Sequence, residues 1–240
     1  MGGNVFNIRL YDAETRAYAV DLLKNDGVIV APSVTNYGVF CSATSATAIA
    51  RIFEMKERTK FGPLTLGIGD PGEARTYAEI PPEFSDQTIS ELLLGMTTTV
   101  FFKAPAAHKF PEQMTMGAPT VGLFCHGISP MFEIGRDFGP IALTSSNISG
   151  TGGPQVTREQ AIDDLGRHAD LVIDGGPIVW DDASGPFQSN TVVDFSFDPP
   201  HLVRPGRFAT SRLQSMFPTL VTDPSAYKNV LTQRMGEVQL

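Results

Sequence analysis

Three polar clusters in this chain sit where strands would end. Pro32-Ser-Val-Thr-Asn-Tyr-Gly38 follows the apolar run 27–31 and places Ser33, Thr35, Asn36 and Tyr37 within five residues. Pro140-Ile-Ala-Leu-Thr-Ser-Ser-Asn-Ile-Ser-Gly150 runs from an apolar strand into Thr144, Ser145, Ser146, Asn147 and Ser149, with Gly150, Gly152 and Gly153 beyond. Arg204-Pro-Gly206 puts a guanidinium at the end of a third strand, and between the first two lies the charged cluster Lys56-Glu-Arg58. Hydroxyls and open backbone N–H groups after a strand can cradle phosphate or a purine edge. Arginine adds a bidentate, permanently charged clamp. Each cluster alone reads equally well as a solvated turn or a snorkelling helix end. Together they point to an anion or nucleotide site.

Composition narrows the partners. The 240 residues can form one large domain or two small ones, and no linker-like tract divides them. A hydrophobic share of 42% and a charged share of 18% suit a globular enzyme. With 18 basic against 26 acidic side chains the net charge is −8, which opposes broad binding to nucleic acid or anionic membrane, so any polyanion site must be local. Cys41 and Cys125 offer neither metal spacing nor a disulfide framework, and the four histidines, His126 among them, are not paired by spacing. No signal peptide or membrane span is read, since no apolar run approaches the roughly 20 residues a span needs. The expected location is the cytoplasm.

The elements that must position these groups follow from periodicity. A helix is predicted over 12–25, ending at Asn25-Asp26-Gly27. The run 27–31, apolar on both faces, reads as a buried strand stopped by Pro32. A helix is expected directly after the loop, with Ala46, Ile49, Ala50 and Phe53 on one face. Further strands are read at 61–69, 96–103, 118–124, 140–144, 170–176, 191–195 and 201–204, and helices from Glu73 and over 85–94. Thr157-Arg-Glu-Gln160 looks like a capping box. Residues 104–118 are a lid or an ordinary loop. Residues 1–206 read as the main domain and 207–240 as a partly helical tail.

The ordered blocks Pro32–Gly38, Lys56–Arg58, Pro63-Leu64, Thr120-Val-Gly-Leu, Thr144–Gly150, Thr191-Val-Val-Asp194 and Arg204–Gly206 resemble the YrdC-like family, over about residues 13–206. That resemblance implies a single α/β domain: a twisted mixed β-sheet flanked by helices, with a large open cleft. Members of the threonylcarbamoyl-AMP synthase type join L-threonine, bicarbonate and ATP into threonylcarbamoyl-adenylate and pyrophosphate, for tRNA modification. The implied cofactors are ATP and Mg2+ bound through it. Carried over by position, Lys56 and Arg58 fall on a Lys-x-Arg pair with catalytic and nucleotide-binding roles. Thr120, Ser145, Asn147, Thr157 and Arg204 fall on further nucleotide-binding positions, with two extra residues in 150–154 ahead of Thr157.

The implied substrate half, Ser33, Thr35, Tyr37, Gly67, Phe124 and Asn190, departs from the family's pattern. Thr35 is retained, but Val34 replaces an acidic residue, Gly67 a histidine, Phe124 an arginine, Asn190 a serine, and Gly62 a lysine or asparagine. Losing a bidentate arginine costs on the order of 1.5–3 kcal/mol of binding if nothing replaces it. Phe124 instead suits an apolar substrate part. The expected activity is therefore ATP-dependent adenylate formation with threonine held differently, or with another amine, carbamate or acyl partner. The alternatives are a noncatalytic nucleotide- or double-stranded-RNA-binding module, and a carbamoyl-adenylate-forming carbamoyltransferase domain. For the latter the chain has too few cysteines to build the zinc fingers of some such proteins.

Overall fold

The apolar runs assemble side by side into one sheet. In this computed structural model, which describes residues 6–58, 60, 62–96, 98–107, 110–125, 127–151, 155–178 and 189–236, ten strands are present. They are β1 (Ile8–Leu10), β2 (Ile29–Pro32), β3 (Tyr37–Ser42), β4 (Thr65–Gly67), β5 (Thr98–Lys103), β6 (Thr120–Phe124), β7 (Ile141–Ser145), β8 (Leu171–Asp174), β9 (Thr191–Asp194) and β10 (His201–Arg204). Their order is β1-β8-β2-β3-β7-β4-β6-β5-β9-β10. The sheet is mixed: β1/β8, β2/β8, β4/β6 and β5/β9 pair parallel, the other five pairs antiparallel. His126, Thr97, Phe61, Gly152 and Gly153, singled out from sequence, lie outside the described residues.

The helices are α1 (Ala13–Lys24), α2 (Ala46–Met55), α3 (Ala74–Tyr77), α4 (Asp86–Ser90), α5 (Glu112–Thr115), α6 (Pro130–Phe138), α7 (Arg158–Ala161), α8 (Thr210–Met216) and α9 (Pro224–Met235). Asp12 caps α1 by accepting from Thr15 N at 2.7 Å, and Ser45 caps α2 by accepting from Ala48 N at 3.0 Å. Thr157 caps α7 through Gln160 N at 3.2 Å, while the Gln160 amide donates to Thr151 O, so only half of the capping box forms. Among the described residues no helix is long and apolar enough to cross a membrane.

Alternation along the strands sends side chains to two cores. Val30, Val39, Cys41, Leu66, Val100, Phe102, Leu123 and Val193 pack on the face that α2 and the 74–95 segment cover. Ile29, Ala31, Phe40, Ile141, Leu143, Leu171 and Ile173 meet α1 and α6 on the other. Those two helices pack on each other over one side of the sheet only. Beyond them this face stays uncovered, and there the cleft lies.

Two sequence expectations are corrected. The segment after Gly38 is not a direct lead into a helix: Tyr37–Ser42 is a strand buried along its whole length, paired antiparallel with β2. Pro32 does not end the ladder but forms its last pair, with Tyr37, because pairing there needs no proline N–H. The Ser33–Asn36 loop is therefore a hairpin turn, closed by Ser33 N donating to Asn36 O at 2.8 Å. Helix α6, for which no expectation was drawn, supplies one wall of the cleft.

Past β10, α8 and α9 fold back on the sheet. Leu213, Leu220 and Leu231 are buried in the process. Arg234 of α9 donates to Ser196 Oγ at 2.7 Å and Ser196 O at 3.0 Å, and its guanidinium carbon lies 3.3 Å from the centroid of the Phe197 ring. Ser196 in turn donates through its N–H to the buried carboxylate of Asp194, the last residue of β9, at 2.8 Å.

Candidate functional site

The uncovered sheet face forms a cleft of about 450 Å³. One end is polar. The hairpin turn brings Ser33, Thr35 and Asn36, the end of β7 brings Ser145 and Asn147, and Arg58 and Arg204 supply the only cations among its described lining residues. The floor and far wall are apolar: Phe101, Phe124, Met131, Leu143, Val192 and Val203. Among the described residues no carboxylate lines it. A larger groove of about 850 Å³ lies over Phe84, Phe195 and Phe217 beside α8, and none of the sequence-predicted site residues borders it.

Arg58 leaves the end of α2 and turns under β7. Its guanidinium donates to Gly62 O at 2.5 Å and Thr144 Oγ1 at 3.1 Å, and burial lowers its pKa to about 10. Arg204 is exposed at the rim and donates to Asn190 O at 3.1 Å. Both therefore present charge to the cleft from fixed positions, which suits an anionic ligand.

Lys56 is placed differently. It is 1% exposed and does not line the cleft. Its Nζ donates to Ser145 O and Asn147 O, each at 2.5 Å, while its own carbonyl accepts from Ser149 N at 2.9 Å. Burial, and next the Arg58 charge, pull its ammonium down to about 7, against the opposing pull of Asp164. Lys56 holds the 145–149 loop from beneath.

That loop does not offer the row of open N–H groups expected from its composition. Ser146 N donates to Tyr37 O, Asn147 N to Ser145 O, Ile148 N to Asp164 Oδ2, and Ser149 N to Lys56 O. The hydroxyls of Ser146 and Ser149 are buried without a hydrogen-bond partner. What the loop presents to the cleft is Ser145, Asn147 and Gly150. The Ser145 hydroxyl donates to Asn147 Oδ1 at 2.6 Å, and the Asn147 amide donates to Ile148 O at 2.7 Å.

The remaining sequence-predicted residues divide. Ser33, Thr35, Phe124 and Asn190 line the cleft. Tyr37, Gly67, Thr120 and Thr157 do not. Tyr37 is fully buried, its hydroxyl donating to Gly176 O at 2.7 Å and accepting from Gly175 N at 3.2 Å. Thr120 is buried in the ladder opposite Lys103, and Thr157 is spent as the cap of α7. At Gly67 an added Cβ would lie 2.6 Å from Leu143 Cδ2 and 2.7 Å from Ile141 Cγ1. Leu143 thus fills the space a side chain at 67 would need, and itself faces the cleft.

Sequence reasoning placed Asn36 and Thr144 in the polar clusters without giving either a role of its own, and it passed over Thr99, Phe101 and Met131. Thr99 and Phe101 share one face of β5, and a strict period of two would have placed them together. Phe101 lies against Gly122 on the floor, with ring atoms less than 3 Å from where a Cβ there would sit. Met131 had no such signal, since it depends on α6.

One contact joins the cleft's opposite sides. Thr35 Oγ1 donates to Asn190 Oδ1 at 2.6 Å. Asn36 adds a bond to Ser189 Oγ at 3.3 Å, and Asn190 Nδ2 reaches Thr99 Oγ1 at 3.4 Å. Strand β3, next to Thr35, and β9, next to Asn190, are five places apart in the sheet, roughly 24 Å if it were flat at about 4.8 Å per strand. Gly38 is level with Ser145 at one end of β7, whereas Thr191 is level with Thr98, towards the opposite end. Twist brings these diagonal corners together over the concave face.

A curled mixed sheet with a two-arginine cleft on its concave face defines an α/β protein suited to an elongated anionic ligand. The pattern of the Sua5_yciO_yrdC family, described as telomere recombination, matches residues 21–206, and the chain belongs to that family. It is 30% identical over 195 residues to the threonylcarbamoyl-AMP synthase of Rattus norvegicus, covering 81% of this chain and 65% of the relative. The chain thus spans slightly less than two thirds of that relative's length. Sua5 of P. abyssi complexed with L-threonine superposes with a TM-score of 0.77 at 23% identity, over 92% of this chain and 62% of that one. YciO of E. coli gives 0.68 at 21% identity, over 87% and 98%. Both share the fold.

Proposed function

We propose that the chain is an ATP-dependent, adenylate-forming transferase of the threonylcarbamoyl-AMP synthase kind. The observation that carries this reading is a cleft lined by Arg58, Arg204, Ser145 and Asn147, with no carboxylate among its described lining residues. The synthase name of its relatives supports it. In this reaction an amine and bicarbonate give a carbamate and water. A carbamate oxygen then attacks the α-phosphorus of ATP, and the bond to pyrophosphate breaks. The transition state gathers negative charge on phosphate oxygens, so catalysis rests mainly on fixed cations and on alignment. Arg58 and Arg204 would supply the cations, Ser145 and Asn147 the polar contacts, and Lys56 would act through the loop. With no carboxylate among the described lining residues, Mg2+ would be held by the nucleotide's phosphates and water.

The second substrate would lie on the apolar side, near Thr35, Asn190 and Phe124. L-threonine is the first candidate, as the ligand seen in P. abyssi Sua5. The aromatic and aliphatic floor favours a second reading, an amine with an apolar body in its place. The product would feed tRNA modification, and the protein would work in the cytoplasm.

Pyrophosphate release from ATP, bicarbonate and Mg2+, measured across amino acids and other amines, tests the reading. Arg58→Ala is expected to lower it at least about a hundredfold. Release with threonine alone supports the synthase reaction, and release with an apolar amine instead supports the altered substrate. No release with any amine would sink both.

A further inference from the structure

The loop that carries Ser145 and Asn147 is gripped from two sides by opposite charges. Beneath it, Lys56 Nζ takes the carbonyls of Ser145 and Asn147. Behind it, the half-buried Asp164, in the helical turn after α7, accepts from Ile148 N at 3.1 Å. Thr151 Oγ1 and the Gln160 amide also reach Asp164 Oδ2, each at 3.5 Å, and Thr151 Oγ1 ties back to Ile148 O at 2.8 Å. Carbonyls on one side and an N–H on the other are thus fixed by a cation and an anion, so the peptide dipoles of 145–148 cannot turn over.

We propose that Asp164 is a positioning residue for nucleotide binding, which with Lys56 clamps the 145–151 loop so that Ser145, Asn147 and Gly150 stay turned to the cleft. The inference rests on the nucleotide reading of the cleft. Asp164 touches no cleft-lining side chain in the hydrogen bonds above and acts through the loop and through Lys56. Two charges act on Lys56: Arg58, which disfavours its protonation, and Asp164, which favours it. Removing the Asp164 charge therefore makes Lys56 lose its proton at lower pH, and the positive charge below the loop goes with it.

Two substitutions separate geometry from charge. Asp164→Asn keeps an oxygen for Ile148 N and removes the charge; Asp164→Ala removes both. The measurement is ATP affinity by titration calorimetry between pH 6 and pH 9, with thermal melting to confirm folding. Wild-type affinity is expected to fall as pH rises through about 7, where Lys56 loses its proton. Asp164→Asn should move that midpoint to lower pH, and Asp164→Ala should move it likewise and weaken binding about tenfold besides. If Asp164→Ala does not fold, the Asn variant's midpoint decides alone. An unmoved midpoint in Asp164→Asn, with wild-type affinity, overturns the proposal while leaving the nucleotide reading intact. A wild-type protein that binds no ATP removes both.

Discussion

Gly206 has no room for a methyl group. A Cβ there would lie 2.3 Å from Asn190 C and Thr191 N, so the Arg204-Pro-Gly206 turn packs directly on the peptide that starts β9. That peptide carries the carbonyl to which Arg204 donates and the side chain that meets Thr35. Gly206→Ala must push the two apart. Overpacking of this kind costs on the order of 1–3 kcal/mol. A lower urea midpoint, with ATP affinity reduced severalfold, is the expected outcome. An unchanged midpoint and affinity would mean that the turn yields freely. Among the predicted site residues, those set by a local motif were legible: Arg58 and Arg204 reach the cleft as their strand- and helix-end positions imply. Lys56 was legible as a cation near the loop of Ser145 and Asn147, but not as one buried beneath it and away from the cleft, because burial depends on the loop folded over it.

At the scale of elements, the edge of the sheet depends on α9. Strand β9 has Asn190 before one end and Asp194 at the other, and Asp194 is tied through Ser196 to Arg234. Removing the guanidinium strands Ser196 O and uncovers the Phe197 ring. Charged hydrogen bonds contribute roughly 1.5–3 kcal/mol and a close cation–π contact about 1 more. Arg234→Ala should therefore lower stability by about 2 kcal/mol in urea unfolding and speed hydrogen exchange at 191–194. Exchange no faster than wild type would show that β9 is held by its neighbours β5 and β10 without α9. Most strands could be read from apolar runs, but β1, β3 and α6 were not. Tyr37–Ser42 follows a polar turn with no Asn-Gly or Asp-Gly signal, so its turn looked like a binding loop and the strand like its continuation. In α6 the start Ser129-Pro130 and stop Gly139 are present, yet Gly135 interrupts the nine residues and weakens the pattern.

For the whole molecule, charge separates two kinds of polyanion. The net charge of −8 repels a long nucleic acid, whereas two arginines in a cleft with no carboxylate among its described lining residues attract a small anion locally. Labelled duplex RNA is therefore expected to show little binding by anisotropy at about 150 mM salt, and ATP affinity should change little between about 50 and 200 mM. Tight RNA binding that collapses over that salt range would revive the RNA-groove reading. The curl of the sheet was the least legible feature. It rests on pairs such as Thr35 with Asn190, 155 residues apart, which no local pattern encodes.

That pair also has a topological consequence. The sheet from β3 to β9, closed over the cleft by the Thr35–Asn190 contact of 2.6 Å and the Asn36–Ser189 contact of 3.3 Å, makes a ring around the cleft. A molecule lying on the floor is encircled, with sheet beneath and the hydroxyl–amide link above. It can slide out endways, or it can leave when the link lapses, and no domain has to swing for either. Residence time is then governed by the curvature that keeps two remote corners of one sheet in touch.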